Sequence, residues 1–393
     1  MGDIYKLAYR VVIWLGPSTS DSGPALEKAT YLGQQLVFCR GYYRLRSPDH
    51  SERDWFRGRF PLPYDDRAWR AWQDIIERPW FKRLWIVREA LLANHRAILR
   101  CGKDQISWSL FRPAVNCLIS KRDLPDRLRP VYGLLRNQAN TGLDRLLLRT
   151  LHQECSEPRD RVYGLLGLMP ALFSSLIAPD YSLSVTQVYK NAFLIYLQQK
   201  NDLHLLGQCR LAQRRADSPS WVPNWSLPLK SEHLGFRFLA SGQSRSAYKY
   251  IESEVLEISG VQCATINNIG QVALSQNDDI STLLREWQPA NLNTASYVTG
   301  ESLMAAYVTT LCTGYVRERW PTTAIPTIQE CKNSYDACIL EAGKTTTSEI
   351  VNENYIRRIR RWLRNMTFLT TEEYIGIGPS ETEPGKQSVR DCI

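Results

Sequence analysis

Trp85 and Glu89 pair a large aromatic ring with a carboxylate four residues apart, in the stretch WFKRLWIVREALLA from Trp80 to Ala93. A step from i to i+4 places both on one helix face, one turn apart, where a ring can lie beside a ligand that the carboxylate reaches. The same spacing also suits packing. Trp80, Phe81, Leu84, Trp85, Val87 and Leu91 would bury much of that helix, with Glu89 paired to Arg88 or Lys82. A second charged pair, Arg159 and Asp160, opens a later helical pattern and reads as a capping pair rather than as catalytic groups. Other chemistries find little footing. Five scattered histidines form no Ser/His/Asp or Cys/His grouping, and ten cysteines show no CxxC and no zinc-ligand spacing, so no metal is expected. The loop GPSTSDSG after the first apolar run is neither a P-loop nor GxGxxG.

The elements that must position these residues follow from hydrophobic periodicity. Arg10 to Leu15 (RVVIWL) is a β-prone run with the pattern of a strand buried on both faces of a parallel sheet, and Pro24 to Val37 reads as the helix after it. Residues Cys39 to Asp66 lack periodicity and read as a surface insertion. From Arg67, Trp69, Trp72, Ile75 and Ile76 recur at spacings of three and four, and Pro79 ends that helix before Trp80 to Ala93 begins another. His95 to Trp108 predicts a strand, a turn at Gly102-Lys103 and a helix entry at Ser107. The middle is mostly helical: Asp144 to Glu154, Pro158 to Leu168 and Val185 to Gln199, followed by a short strand at Leu203 to Leu206. In PSWVPNW, Pro219 to Trp225, the two tryptophans are expected to lock a turn against a core. Beyond Leu229, strands at Phe236 to Ala240, Val255 to Cys263 and Thr367 to Ile377 with helices at Ser302 to Arg319 and Glu353 to Met366 predict an α+β region.

Composition narrows the class. With 44% hydrophobic and 23% charged residues in 393, the chain is globular and not disordered or collagenous. No stretch reads as a transmembrane helix or a signal peptide, so a cytoplasmic protein with reduced thiols is expected, with no membrane partner. The formal charge of +9 rests on 37 arginines against 12 lysines. Two stretches concentrate them, Arg40 to Arg59 and NYIRRIRRWLRN from Asn354 to Asn365, but most arginines sit singly beside acids. Solvated faces or partner surfaces fit that pattern better than nucleic acid.

Six passages in order resemble the fungal heterokaryon incompatibility (HET) domain family. They are IYKLAYRVVIWLG with Trp14 and Gly16, ERPWFKRLWIVREALLA with Arg78, Pro79, Trp80, Phe81 and Arg83, and CGKDQISW with Cys101, Gly102 and Trp108. EPRDRVYGLLGL follows with Pro158, Arg159 and Asp160, then DYSLSVTQVY with Tyr181 and PSWVPNW with Trp221 and Trp225. LEISGVQCATI and FLTTEEYIGIGPSETEPGK extend the likeness toward the end. Departures accompany it: Arg88 stands where the family usually has Gln, and Gly385-Lys386 where Gly-Asp is usual. The family's upstream strand, its aspartate and its Cys-Ile-Asn-Gln segment are absent, so the resemblance implies a chain shortened at both ends.

The resemblance also implies a fold and a function. It implies an α/β protein with a partial TIR-like parallel-sheet core and a largely helical middle over residues 1–229, then an α+β region over 230–393. TIR domains that cleave NAD use a glutamate in a Trp-x-x-x-Glu helix, which maps onto Trp85 and Glu89 as candidate catalytic residues. Loss of nicotinamide develops an oxocarbenium ion, and a nearby carboxylate stabilises that charge. NAD would then be a substrate, with no cofactor bound stably. The implied role is fungal non-self recognition and programmed cell death, with other HET-type or self-recognition proteins as partners. The alternative is a catalytically dead binding or regulatory component that associates with an intact HET protein, and an Arg-driven nucleic-acid binder is the weaker third reading. Without the upstream strands the chain by itself is expected to be inactive or nearly so. Titration into DNA and RNA at moderate and high salt should show no micromolar binding; a Kd near 1 μM with a steep negative salt slope would establish the nucleic-acid reading instead.

Overall fold

The computed structural model describes residues 2–39, 42–45, 62, 64–119, 141–150, 153–210, 213–227, 247–251, 254–272, 280–312, 327–340, 359, 363, 366–385 and 387–391. The chain divides into two compact units, Met1–Gln199 with Trp225–Pro228 and Lys200–Asn224 with Leu229–Ile393. The architecture is mixed α/β with small sheets.

In the first unit α1 (Gly2–Leu7) leads into β1 (Val12–Trp14), then α2 (Ser22–Gln35) and a hairpin of β2 (Leu36–Cys39) and β3 (Tyr42–Leu45). α3 (Asp66–Ile76), α4 (Ile86–Leu92), β4 (Ile98–Cys101), β5 (Asp104–Ser107) and α5 (Trp108–Ile119) follow. The sheet order is β1-β4-β5, with β1 parallel to β4 and β4 antiparallel to β5. Its first strand corrects the expectation of burial on both faces. Ile13 is buried, but Val12 and Trp14 are 52% and 53% exposed, because α2 and α5 pack against the sheet and β1 is its edge strand. α2 approaches α5 so closely at Gly33 that a Cβ there would come 2.3 Å from the Leu110 carbonyl oxygen, which excludes every other residue type.

The tryptophan stripe of α3 behaves as its spacing predicts. Trp72, Ile75 and Ile76 are buried, Trp69 lies half-buried edge-on to Tyr64, and the Asp65 carboxylate caps the helix by accepting from the Ala68 N–H at 2.8 Å. An aromatic seam continues from it. Trp72 and Phe81 both lean on Phe111, Trp108 stacks on Phe111 at 5.8 Å, and Trp80 meets Phe81 edge-on at 4.9 Å.

The helical middle contains α6 (Leu143–Arg149), α7 (Asp160–Tyr163), α8 (Ala171–Ser174) and α9 (Val185–Lys200). The long helix predicted over Pro158 to Leu168 is instead the four residues of α7 and a 3-10 turn at Leu166–Leu168, since Gly164 and Gly167 interrupt it. Leu203 to Leu206 does not form a strand. His204–Gln208 is a 3-10 turn that buries Leu205 without a strand partner.

The second unit carries β6 (Tyr248–Ile251), β7 (Val255–Ile258), β8 (Gly260–Thr265), β9 (Asn268–Ile269), α10 (Ile280–Glu286), α11 (Leu303–Leu311), α12 (Ile328–Leu340), β10 (Met366–Thr370), β11 (Ile375–Pro379) and β12 (Gln387–Asp391). Its strand pairs among the described residues are antiparallel. Its core gathers on Phe368, stacked on Trp287 at 5.9 Å and edge-on to Tyr307 at 5.6 Å. The strand expected at Phe236 to Ala240 lies outside the described residues, as do most of the two arginine-rich stretches.

Among the described residues no helix is long and apolar enough to cross a membrane, and no group of three metal-ligating side chains occurs. Because Trp80 and Phe81 are 8% and 3% exposed, truncating either to alanine should cost about 3 to 5 kcal/mol in denaturant unfolding. A loss below about 1 kcal/mol would place them outside the core.

Candidate functional site

Pro79 opens a 3-10 turn, Pro79–Lys82, that drives Trp80 and Phe81 into the aromatic seam and delivers the chain to α4. Backbone bonds pin this delivery: Leu84 N–H donates to the Glu154 carbonyl at 2.8 Å and Glu154 N–H to the Lys82 carbonyl at 2.5 Å. Arg83, exposed, bridges Glu154 in parallel register. Trp85 occupies the start of α4, and its carbonyl accepts from the N–H of both Arg88 and Glu89. Ile86, Val87 and Ala90 turn inward, which leaves the indole of Trp85 and the carboxylate of Glu89 half-buried one turn apart.

Trp85 is tied down at its polar end. Its indole N–H donates at 3.1 Å to Oδ2 of Asp160, a carboxylate 7% exposed, whose Oδ1 accepts from the Tyr181 hydroxyl at 2.7 Å. Arg159 works on the same loop. Its guanidinium forks onto Glu157, with Nε to Oε1 at 2.7 Å, and donates to the carbonyls of Tyr181 and Leu183. Arg159 and Asp160 are therefore not a capping pair. α7 is a single turn, and Asp160 points away from its N–H groups to collect Trp85 and Tyr181. Tyr163, ring to ring with Tyr181 at 5.3 Å, closes the cluster by donating to the Asp180 carbonyl.

These contacts shift proton affinities. Burial, then the hydrogen bond to Asp160, pushes the Tyr181 phenol up to about 12. The Arg159 hydrogen bonds hold Glu157 below the ordinary carboxylate value. Burial raises the Cys155 thiol, so it is no ready nucleophile.

Glu89 has a partner that the sequence did not suggest. The Tyr5 hydroxyl lies near it, and burial followed by the charge of Glu89 raises the Tyr5 phenol. Among the described residues Glu89 pairs with neither Arg88, which points about 100° around the helix from it, nor Lys82, which lies in the preceding 3-10 turn. Arg88 instead lies 8% exposed beneath the Trp85 ring, its guanidinium carbon 5.3 Å from the ring centroid.

The remaining motif residues build the frame. The Arg78 guanidinium donates to the Leu15 and Pro17 carbonyls at 3.1 and 2.6 Å and pairs with Asp74, clamping the loop that leaves β1. Gly16 and Gly102 take left-handed backbone, and the Gly102 N–H donates to the Gly16 carbonyl; Cys101 is buried beside them. Trp14 points away on the open face of β1. The Pro158 carbonyl accepts from Tyr189, whose ring lies 5.0 Å from Trp225. Trp221 is buried in the second unit, donating to the Glu254 carbonyl and edge-on to Tyr250.

The heterokaryon incompatibility protein (HET) family matches residues 1–89, the segment that runs from Tyr5 to Glu89 in this site. Heterokaryon incompatibility protein 6, OR allele, of Neurospora crassa is 27% identical over 338 residues, covering 70% of this chain and 49% of that protein. Over these stretches the chain is similar to HET-family proteins. It spans about half the length of that curated relative, and no solved structure matches it. The HET match ends at Glu89, whereas the partners that hold Trp85, Asp160 and Tyr181, come from farther along the chain. Tyr5 lies within the match, yet nothing in its local pattern marks it as a partner of Glu89; only the packing of α1 on α4 does.

Two outcomes test the anchoring network around Trp85. Trp85→Phe keeps an aromatic ring but removes the indole N–H and strands Asp160 Oδ2, and should cost about 1 to 3 kcal/mol of unfolding free energy. The raised Tyr181 pKa favours its neutral form in the folded state. Its contribution is therefore intact below pH 10, the ordinary tyrosine value, and is lost as pH rises through about 12. Tyr181→Phe should flatten the alkaline stability loss in that window; an unchanged pH profile would mean the phenol titrates as in water.

Proposed function

We propose that this chain acts in fungal non-self recognition leading to programmed cell death, and that its effector chemistry is cleavage of NAD at Glu89 in assembly with other HET-type proteins. The family match and the name of the Neurospora relative support the first part. One observation supports the second: the Glu89 carboxylate sits part-open, one turn from an indole fixed by its bond to Asp160. In such a step the bond between the ribose C1′ and nicotinamide breaks, the electron pair leaves with nicotinamide, and the carboxylate stabilises the oxocarbenium ion until water adds and a proton departs. Trp85 positions this helix, because its indole is committed to Asp160 and cannot swing. The reading also carries a TIR-like active face and a cytoplasmic protein.

The same commitment of Trp85 favours a second reading, a binding component without catalysis, because a tryptophan tied at its N–H is what a purely structural helix start would show. Expression in a fungal host, alone and with the Neurospora relative, separates the two. Survival and NAD content should fall on co-expression, and Glu89→Gln should restore both. Killing that persists with Glu89→Gln, or that leaves NAD intact, would rule out cleavage and leave the binding component; no effect on survival in any combination would overturn the cell-death role.

A further inference from the structure

Arg88 carries a permanent charge in a nearly closed position. The side chain is 8% exposed, its Nε is enclosed without an acceptor, and among the described residues no carboxylate forms an ion pair with it. One flank is the Trp85 ring; the other is Gly167, where a Cβ would come 3.2 Å from Arg88 Cδ and 3.5 Å from Nε. Neighbouring acids are occupied elsewhere. Asp160 has one oxygen on Trp85 and the other on Tyr181, and Glu89, half-buried on the next position of the helix, forms no ion pair with Arg88 among the described residues. A buried guanidinium without a hydrogen-bonded counter-charge is unfavourable, and its planar fork of donors matches the oxygens of a phosphate.

We propose that Arg88, held between Trp85 and Gly167, anchors an oxyanion site that takes the phosphate or pyrophosphate group of a ligand. The oxyanion site stands on this geometry alone. That the ligand is a nucleotide diphosphate rests on the reading of Glu89, because an anchor one residue away would hold the diphosphate of NAD while the carboxylate faces its glycosidic bond.

The full chain is titrated calorimetrically at low salt with sodium pyrophosphate, with ADP and with sodium acetate, and its thermal unfolding is followed with and without each. The intact chain should bind pyrophosphate, and Arg88→Gln should weaken that binding about tenfold or more, with Arg88→Lys between them. Without ligand, Arg88→Gln should unfold at the same temperature or higher, since it removes an uncompensated buried charge. ADP tighter than pyrophosphate identifies a nucleotide, and equal affinities identify a site for the phosphate group alone. Should Arg88→Gln not fold, Gly167→Ala, which pushes on the Arg88 side chain and leaves its charge, should weaken binding instead. The proposal is overturned if the intact chain binds neither pyrophosphate nor ADP, if acetate matches them, or if the folded variants bind as the intact chain does. Binding that depends on Arg88 without any NAD loss in cells would retain the oxyanion site and discard cleavage at Glu89.

Discussion

A buried carboxylate holds the first unit together around the start of α4. Asp160 is 7% exposed, and removing a charge from water is unfavourable unless hydrogen bonds replace the lost hydration. Trp85 and Tyr181 supply them, one from the N-terminal half of the unit and one from the loop that precedes α9. The three side chains are mutually dependent, because the loss of either donor leaves an acceptor short in a low-dielectric setting. Arg159 makes that loop a defined object. Its fork on Glu157 and its bonds to the Tyr181 and Leu183 carbonyls set where the Tyr181 hydroxyl points.

A second guanidinium does comparable work at the sheet. Arg78 reaches back from the end of α3 to the carbonyls of Leu15 and Pro17, which have no sheet partner once β1 has ended. Buried or half-buried carbonyls need donors, and a cation that forks across two of them orders the whole loop. Between these two clamps runs the aromatic seam of Trp72, Phe81, Phe111, Trp108 and Trp80. Ile86, Val87 and Ala90 bury the inner face of α4, with Trp85 and Glu89 half-buried beside it and Arg88 buried against the Trp85 ring. Sites built on regular elements keep their geometry, and the start of α4 combines an aromatic ring, a cation and a carboxylate within one helical turn.

Several features were legible in the chain itself. The spacing of Trp69, Trp72, Ile75 and Ile76 determined α3 and its buried face, since a bulky stripe at 3.6-residue period has one way to hide from water. Ser184 to Gln199 likewise announced α9 by periodicity and a serine start, and Gly102-Lys103 announced the turn between β4 and β5. The passages quoted from Ile4 to Glu89 carry the likeness to the HET family, whose match covers residues 1–89. The sequence also put Trp85 and Glu89 on one face, because four residues on a helix leave no other arrangement.

Tertiary structure decided what each of those groups does. Nothing local distinguishes a strand covered on both faces from an edge strand covered on one, so the apolar run RVVIWL misled about Val12 and Trp14. Periodicity likewise cannot register that Asp160 turns from its own helix toward residues 75 and 21 positions away. Tyr5 as the partner of Glu89 depends on α1 packing against α4, a contact across more than eighty residues. That no carboxylate among the described residues pairs with Arg88 depends on which groups the packed interior brings near it. Helix and strand patterns are set by bonds between near neighbours and by which face meets water; hydrogen-bond partners and buried charges are set by which distant segments meet, and that is determined only when the chain closes on itself.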